Sequence, residues 1–133
     1  MNGYLLDTNA LLWLALDHTS LRAGARRTLM DAPLFVSVIS AVEIAIKASI
    51  GKLVLPDPFS IDFNVAFATM LDREAVDVIP LELSTIGRLR SLPLHHRDPF
   101  DRIIIAQSLE HGLTVATRDH AFLVYEGLDV LEV

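Results

Sequence analysis

Two kinds of apolar pattern alternate along this chain, and together they predict strands interleaved with helices. Short apolar runs bounded by turn residues predict five strands, at residues 3–7, 34–39, 76–81, 113–117 and 128–133. Apolar residues that recur every three to four positions predict helices at residues 8–16, 18–31, 40–50, 61–74, 84–91 and 98–111, with a short helical segment at 120–125. This alternation implies an α/β three-layer sandwich, with a mostly parallel central sheet of about five strands.

Turn-forming residues mark the ends of these predicted helices. Pro33 ends the second helix, whereas Gly51 and Gly112 end the third and the last long helix. Ser84 is the predicted N-cap of the helix at 84–91. Because no repeat, low-complexity tract or linker interrupts the pattern, we expect residues 1–133 to form a single domain.

Composition narrows the class of protein. Apolar residues make up 52% of the chain, which is ample for a packed core, yet no apolar run approaches the roughly 20 residues that span a bilayer. The first residues lack a basic region followed by a long apolar run, so no secretory signal is predicted. The absence of cysteine excludes disulfides, zinc–thiolate sites and thiol catalysis, and it fits a cytoplasmic protein.

The charge balance bears on possible partners. The formal net charge is −6, which argues against a protein that coats DNA, since such proteins are usually basic. The negative charge does not exclude a nuclease, because a metal-dependent active site is itself acidic.

Four acidic residues lie where predicted strands give way to helices: Asp7, Glu43, Asp101 and Asp119. In a parallel sheet all such junctions open on one edge, so we expect these carboxylates to converge. Clustered carboxylates repel each other, and a hard divalent cation is the simplest neutralising group.

Each acid also has a structural interpretation as a helix-start residue. Asp7 suits an N-cap, although a charge at the edge of such an apolar run is costly unless it is paired. Asp119 suits a cap or a turn residue, a task that Thr117 is able to share. Taken one at a time, these acids do not require a ligand.

Glu43 has a particularly good structural interpretation. Residues 40–43, SAVE, match a capping box in which Ser40 is the N-cap and Glu43 reaches back to it. Glu43 also precedes Lys47 by four residues, which predicts an ion pair along the helix.

The segment HHRDPFDRIIIAQS contains the strongest local signal. Asp98 followed by Pro99 predicts an N-cap with proline at the first helical position. Asp101 then falls in the first helical turn, where the helix dipole favours a carboxylate and helps to keep it ionised. The sequence therefore assigns Asp98 mainly to capping and Asp101 to a ligand.

Several ordered motifs give the chain a resemblance to a known family. The segments LLDTNALLWL, SVISAVEIAIKASIGKL and HHRDPFDRIIIAQSLEHGLTVATRD, with a short final strand, resemble PIN-domain proteins. More specifically, they resemble the VapC toxins of type II toxin–antitoxin modules. The resemblance covers essentially the whole chain, and the ordered set of motifs is more specific than any one of them.

The resemblance implies an endoribonuclease that depends on Mg²⁺, with Mn²⁺ as a substitute. It implies that Asp7, Glu43, Asp101 and Asp119 form the metal-binding and catalytic quartet. Asp7 and Asp101 are our first choices as direct ligands. The same resemblance gives supporting roles to residues of the family's DTN and DPFD motifs, namely Thr8, Asn9 and Asp98.

The partners implied by the resemblance are an RNA substrate and a VapB-type antitoxin. The family usually forms homodimers and binds operator DNA only through the antitoxin. Arg97, Arg102 and Arg118 are candidate RNA contacts or salt-bridge partners of neighbouring acids. His95 and His96 are predicted loop residues near the mouth of the site, since nothing else in the sequence favours zinc.

Two other classes of function stay open on the residues alone. A phosphoryl-transfer enzyme that uses Asp7 as nucleophile would need a second acid at position 9 and a late lysine, but Asn9 is present and no lysine follows Lys52. A non-catalytic binding module, whose acids only cap helices, is favoured by the capping patterns at Glu43 and Asp98.

Overall fold

The computed structural model describes residues 2–133, and it confirms the predicted α/β architecture. The strands are β1 (Tyr4–Leu6), β2 (Leu34–Ser37), β3 (Val76–Ile79), β4 (Thr114–Thr117) and β5 (Val130–Glu132). They form one sheet in the order β3-β2-β1-β4-β5, and every neighbouring pair is parallel. The carboxyl ends of the three central strands, β2, β1 and β4, therefore lie side by side.

In the part of the chain that the structure describes, six α-helices cover the sheet: α1 (Thr8–Leu16), α2 (Ala23–Met30), α3 (Val38–Ser49), α4 (Phe63–Glu74), α5 (Leu83–Ser91) and α6 (Pro99–His111). Two short 3-10 segments, His18–Ser20 and His120–Val124, complete the regular structure. None of the helices within residues 2–133 is long and apolar enough to cross a membrane.

The central strand shows how the sequence builds three layers. Successive side chains of a strand point to opposite faces, so the fully buried Leu5 and Leu6 enter different cores. Leu6 packs in the core that includes Leu11 of α1, whereas Leu5 packs in the core that includes Ile104 and Ile105 of α6. Helix α3 contacts both α1 and α6 and so bridges the two helical layers.

The predicted helix at 18–31 is wrong in its first part. The carboxylate of Asp17 accepts hydrogen bonds from the hydroxyl groups of Thr19 and Ser20, which hold a separate 3-10 turn. Leu21 then adopts an extended conformation and is buried in the core, so α2 begins only at Ala23.

Two predicted caps are also wrong. Helix α3 begins at Val38 with Ser37 as N-cap, and the hydroxyl of Ser37 accepts from the amide of Ile39. Helix α5 begins at Leu83, whereas the hydroxyl of Ser84 donates to Glu110 of α6. The two residues predicted as caps, Ser40 and Ser84, bond instead to a neighbouring helix, Ser40 to Thr8 of α1 and Ser84 to α6.

Candidate metal centre

Asp7 lies directly after β1, and its carboxylate is almost fully enclosed. One oxygen accepts from the amide of Ala10 at 2.8 Å, which makes Asp7 the N-cap of α1 as predicted. The other accepts from the hydroxyl of Thr117, the last residue of β4, at 2.5 Å. Only 6% of Asp7 is exposed, and this burial raises its pKa, against the opposing effect of the Thr117 hydrogen bond.

Thr117 also connects Asp7 to the next acid along the sheet edge. Its hydroxyl oxygen accepts from the amide of Asp119 at 3.0 Å. Asp119 then caps the 3-10 segment that follows, because its Oδ1 accepts from the amide of Ala121 at 2.9 Å. The second oxygen of Asp119 is left to face the site.

Glu43 lies in α3 and is buried, with 4% of the residue exposed, and a hydrogen-bond partner lies at each of its carboxylate oxygens. Oε1 accepts from the hydroxyl of Thr8 at 2.6 Å, and Oε2 pairs with Nζ of Lys47 at 2.6 Å. The predicted ion pair is confirmed, and the hydrogen bond to Glu43 raises the pKa of Lys47.

The predicted capping box around Glu43 is wrong, because Ser40 is buried inside the helix. Its Oγ lies 3.0 Å from the hydroxyl oxygen of Thr8. A hydroxyl group has one proton, and Thr8 is placed to donate its proton to Glu43, so Ser40 is left to donate to Thr8. A chain of hydrogen bonds thus joins the first turn of α1 to α3.

Asp101 lies in the first turn of α6, one turn beyond its cap. Asp98 is that cap, as predicted: its Oδ1 accepts from the amides of Phe100 and Asp101 at 2.8 and 3.3 Å. Burial raises the pKa of Asp101 from 3.8 to about 7, and repulsion from the carboxylates of Asp98, Asp7 and Glu43 contributes, while His96 acts in the opposite direction.

His96 joins this group, which the sequence did not predict. Its Nε2 lies 3.0 Å from Oδ2 of Asp101 and 2.8 Å from Oδ2 of Asp119. The three side chains place one donor atom each within 4.8 Å of one another. The clue available in the sequence was the adjacency of His96 to the DPFD motif, but only the path of its loop turns the ring toward the acids.

The remaining candidate residues divide into exposed and anchored ones. Asn9 and Arg97 are exposed near the site. The guanidinium of Arg102 donates to the backbone carbonyls of Leu89, Leu92, Pro93 and His96, and so fastens the loop that precedes α6.

Arg118 is anchored in a different place. It donates to the carbonyls of Ser20 and Val133, and its guanidinium carbon lies 4.1 Å above the Trp13 ring. These contacts give Arg118 a structural task, while contact of any of the three arginines with RNA stays a prediction.

The donor set fits a hard divalent cation. Asp101 and Asp119 place carboxylate oxygens within 4.8 Å of each other. Asp7 and Glu43 lie outside that group, although their charges act on Asp101. Desolvation makes it costly to ionise Asp7 and Asp101 without a counter-charge. Lys47 is committed to Glu43, which leaves Asp7 and Asp101 without a paired lysine or arginine among the described residues.

Comparisons with known proteins agree with this architecture. The sequence model of the PIN domain matches residues 4–128 of the chain. No curated protein sequence matches it significantly.

Solved structures of similar fold come from several bacteria. A chain in the crystal structure of VapBC2 from Rickettsia felis bound to a promoter DNA fragment is 15% identical, with a TM-score of 0.73 over 98% of each chain. A chain of DNA-bound VapBC from Salmonella typhimurium is 16% identical, with a TM-score of 0.71 over 98% of each chain. A chain of FitAcB from Neisseria gonorrhoeae is 20% identical, with a TM-score of 0.63 over 97% of this chain and 96% of that one.

Proposed function

Because this chain belongs to the PIN domain family, we propose that it is a divalent-metal-dependent endoribonuclease and the toxin of a VapBC-type toxin–antitoxin pair. The observation that carries the nuclease proposal is that acids far apart in the sequence meet at one edge of the sheet. Asp101 and Asp119 have carboxylate oxygens within 4.8 Å of each other, and the hydroxyl of Thr117 connects Asp119 to Asp7. The charges of Asp7 and Glu43 also raise the pKa of Asp101.

The chemistry follows from the donor types. Asp7 and Asp101 are the proposed direct ligands, while Glu43 and Asp119 hold a second ion or orient the attacking water. A cation bound there lowers the pKa of water and neutralises the charge that develops on phosphate oxygens during attack.

The chain's own residues fix the geometry for this reaction. The amide of Ala10 and the hydroxyl of Thr117 hold the two oxygens of Asp7 in place. Thr8 and Lys47 do the same for Glu43, so that neither carboxylate needs to reorient when substrate binds.

Capping alone does not account for the acids. Asp7, Asp98 and Asp119 do cap helical segments, in agreement with the structural interpretation. Asp101 and Glu43 cap nothing, and both are substantially buried. A phosphatase-like enzyme is disfavoured because the second acid that it needs is replaced by Asn9, which is exposed.

The toxin proposal rests on the complexes in which proteins of similar fold were solved. The three solved structures named above come from VapBC and FitAB-type complexes, from which we infer a VapB-type antitoxin as partner. Helix α3 and its C-cap Ile50 offer an apolar stripe for such a protein contact, since Val42, Ile46 and Ile50 follow one another at intervals of four residues and are exposed. We further propose a cytoplasmic homodimer that meets operator DNA only through the antitoxin.

RNA cleavage by the purified chain tests the proposed activity. We expect cleavage with Mg²⁺ or Mn²⁺, none with chelator, and a loss of about 100-fold or more for Asp7→Asn. Asp77→Asn is the matched control, because Asp77 is an exposed residue of the edge strand β3. Folded Asp7→Asn protein with undiminished cleavage would remove Asp7 from the site, and cleavage that survives chelation would refute the metal dependence.

A further inference from the structure

His96 is held rigidly in the loop that precedes α6. Its backbone amide donates to the hydroxyl of Tyr125 at 2.8 Å, and its ring meets the Phe122 ring edge-on, with 5.6 Å between centroids. The side chain is only 13% exposed. The ring is therefore part of the packed wall of the site and is not a freely rotating loop side chain.

The hydrogen bonds of the ring assign its tautomer. Nδ1 accepts from the backbone amide of Asp98 at 3.3 Å, so in the neutral ring it has no proton. The proton of the neutral imidazole is then on Nε2, the atom that faces both Asp101 and Asp119. Nε2 thus donates its hydrogen bond to Asp119, while Oδ2 of Asp101 lies 3.0 Å away, and an Nε2 that has a proton is unsuited to bind a metal directly.

Asp119 depends more on this contact than Asp101 does. Asp101 is fixed by α6, whereas the Asp119 side chain is 43% exposed on a short connection after β4. Apart from the bond of Oδ1 to Ala121, the interaction of Oδ2 with His96 is what turns the Asp119 carboxylate toward Asp101.

We propose that His96 is a positioning residue of the metal centre, whose Nε2–H donates to Asp119 and holds that carboxylate beside Asp101 for a divalent cation. The inference rests on the proposed function, because it takes the acids to be a metal site. Residues that orient metal ligands in this way typically contribute 10–100-fold to metal affinity.

Mn²⁺ affinity, measured by electron paramagnetic resonance of free Mn²⁺, tests this role. We expect His96→Leu, which keeps an apolar contact with Phe122 but removes the donor, to bind Mn²⁺ about 10–100-fold more weakly. His96→Gln replaces Nε2–H by an amide N–H, so it should recover most of the affinity. The matched control is His95→Leu, because His95 is exposed in the same loop and packs edge-on against Tyr125 without touching an acid.

The outcomes separate the two proposals. The positioning role is overturned if His96→Leu binds Mn²⁺ as tightly as wild type does. It is also overturned if His96→Gln and His95→Leu weaken Mn²⁺ binding as much as His96→Leu does. Neither result would count against the nuclease activity. Failure of the wild-type chain to bind Mn²⁺ overturns the metal centre itself. Independently of any metal, nitrogen NMR of the imidazole should show the Nε2–H tautomer in the neutral ring, and an Nδ1–H tautomer would refute the inference.

Discussion

Replacing Asp101 by asparagine should stabilise the metal-free protein at alkaline pH while removing its response to metal. In the fold the pKa of Asp101 is about 7 instead of 3.8, first because it is buried and then because Asp98, Asp7 and Glu43 repel it. Each pKa unit corresponds to about 1.4 kcal/mol, so ionised Asp101 opposes folding by at most about 4 kcal/mol. Asparagine is nearly isosteric and has no charge to desolvate.

The pH dependence has a definite sign. The folded state holds the Asp101 proton to higher pH than the unfolded chain does. From about pH 4 to about pH 7 it therefore binds more protons, and the free energy of unfolding falls as pH rises through that window. The advantage of Asp101→Asn should accordingly be small near pH 4 and reach its full size above pH 7.

Urea unfolding in chelator, at pH 5 and pH 8, measures this difference directly. We expect a gain of about 2–4 kcal/mol for Asp101→Asn at pH 8 and a much smaller one at pH 5. Asp72→Asn, an exposed position on α4, is the control for a general effect of charge. A destabilisation of Asp101→Asn that is equal at both pH values would refute the view that Asp101 is a strained, desolvated carboxyl.

Metal should offset much of this difference in stability. Saturating Mg²⁺ stabilises a protein that binds it by about 2.7 kcal/mol at 100 times the dissociation constant. Wild type should show such a gain, and it should grow with pH because Asp101 must lose its proton to act as a ligand. Asp101→Asn should gain little, and an unchanged response to Mg²⁺ would exclude Asp101 as a ligand.

Two further substitutions test contacts around the site. Thr8→Val removes the hydroxyl that donates to the buried Oε1 of Glu43. We expect urea unfolding to show a free energy of unfolding lower by about 1–3 kcal/mol, and RNA cleavage to fall further than in Asn9→Ala. Undiminished stability would contradict the hydrogen bond. Arg102→Met should destabilise the fold by about 2–4 kcal/mol, because the backbone carbonyls of the loop before α6 lose their hydrogen-bond donor. A variant with unchanged stability and altered RNA binding would contradict this structural role.

The sequence predicted the layers of this fold well, because they depend on local patterns. Runs such as 34–37 and 114–117 are apolar enough to be buried on both faces, which fixes them as strands of a parallel sheet. Asp98 with Pro99, and Gly112 at the other end, fix the limits of α6 through chemistry that belongs to the helix itself.

Local patterns failed where a polar side chain had a choice of partners. Ser37 and Ser40 are both reasonable caps for α3, and the end of β2 at Ser37 decides between them. Ser40 is then free to bond to Thr8, which is 32 residues away in the sequence. No window of neighbouring residues contains that contact.

In the candidate site too, features set by local sequence patterns were predicted, and features set by contacts between distant residues were missed. The sequence drew attention to these acids because each follows a predicted strand, and a parallel sheet brings such junctions to one edge. Glu43 lies farther inside α3 than predicted, and binding of a metal by the four acids stays a prediction. The part played by His96 was missed because it depends on a loop held by Arg102 and Tyr125, which come from different elements. Residue type alone does not show where such a ring points.

The most direct test of the proposed metal centre is an anomalous difference map from crystals of the wild-type chain grown with Mn²⁺. We predict a peak at the carboxyl edge of the sheet, within about 2.3 Å of carboxylate oxygens of Asp7 and Asp101. A well-ordered site without a peak at millimolar Mn²⁺, or a peak confined to other acids, would contradict the assignment of this edge as the catalytic metal centre.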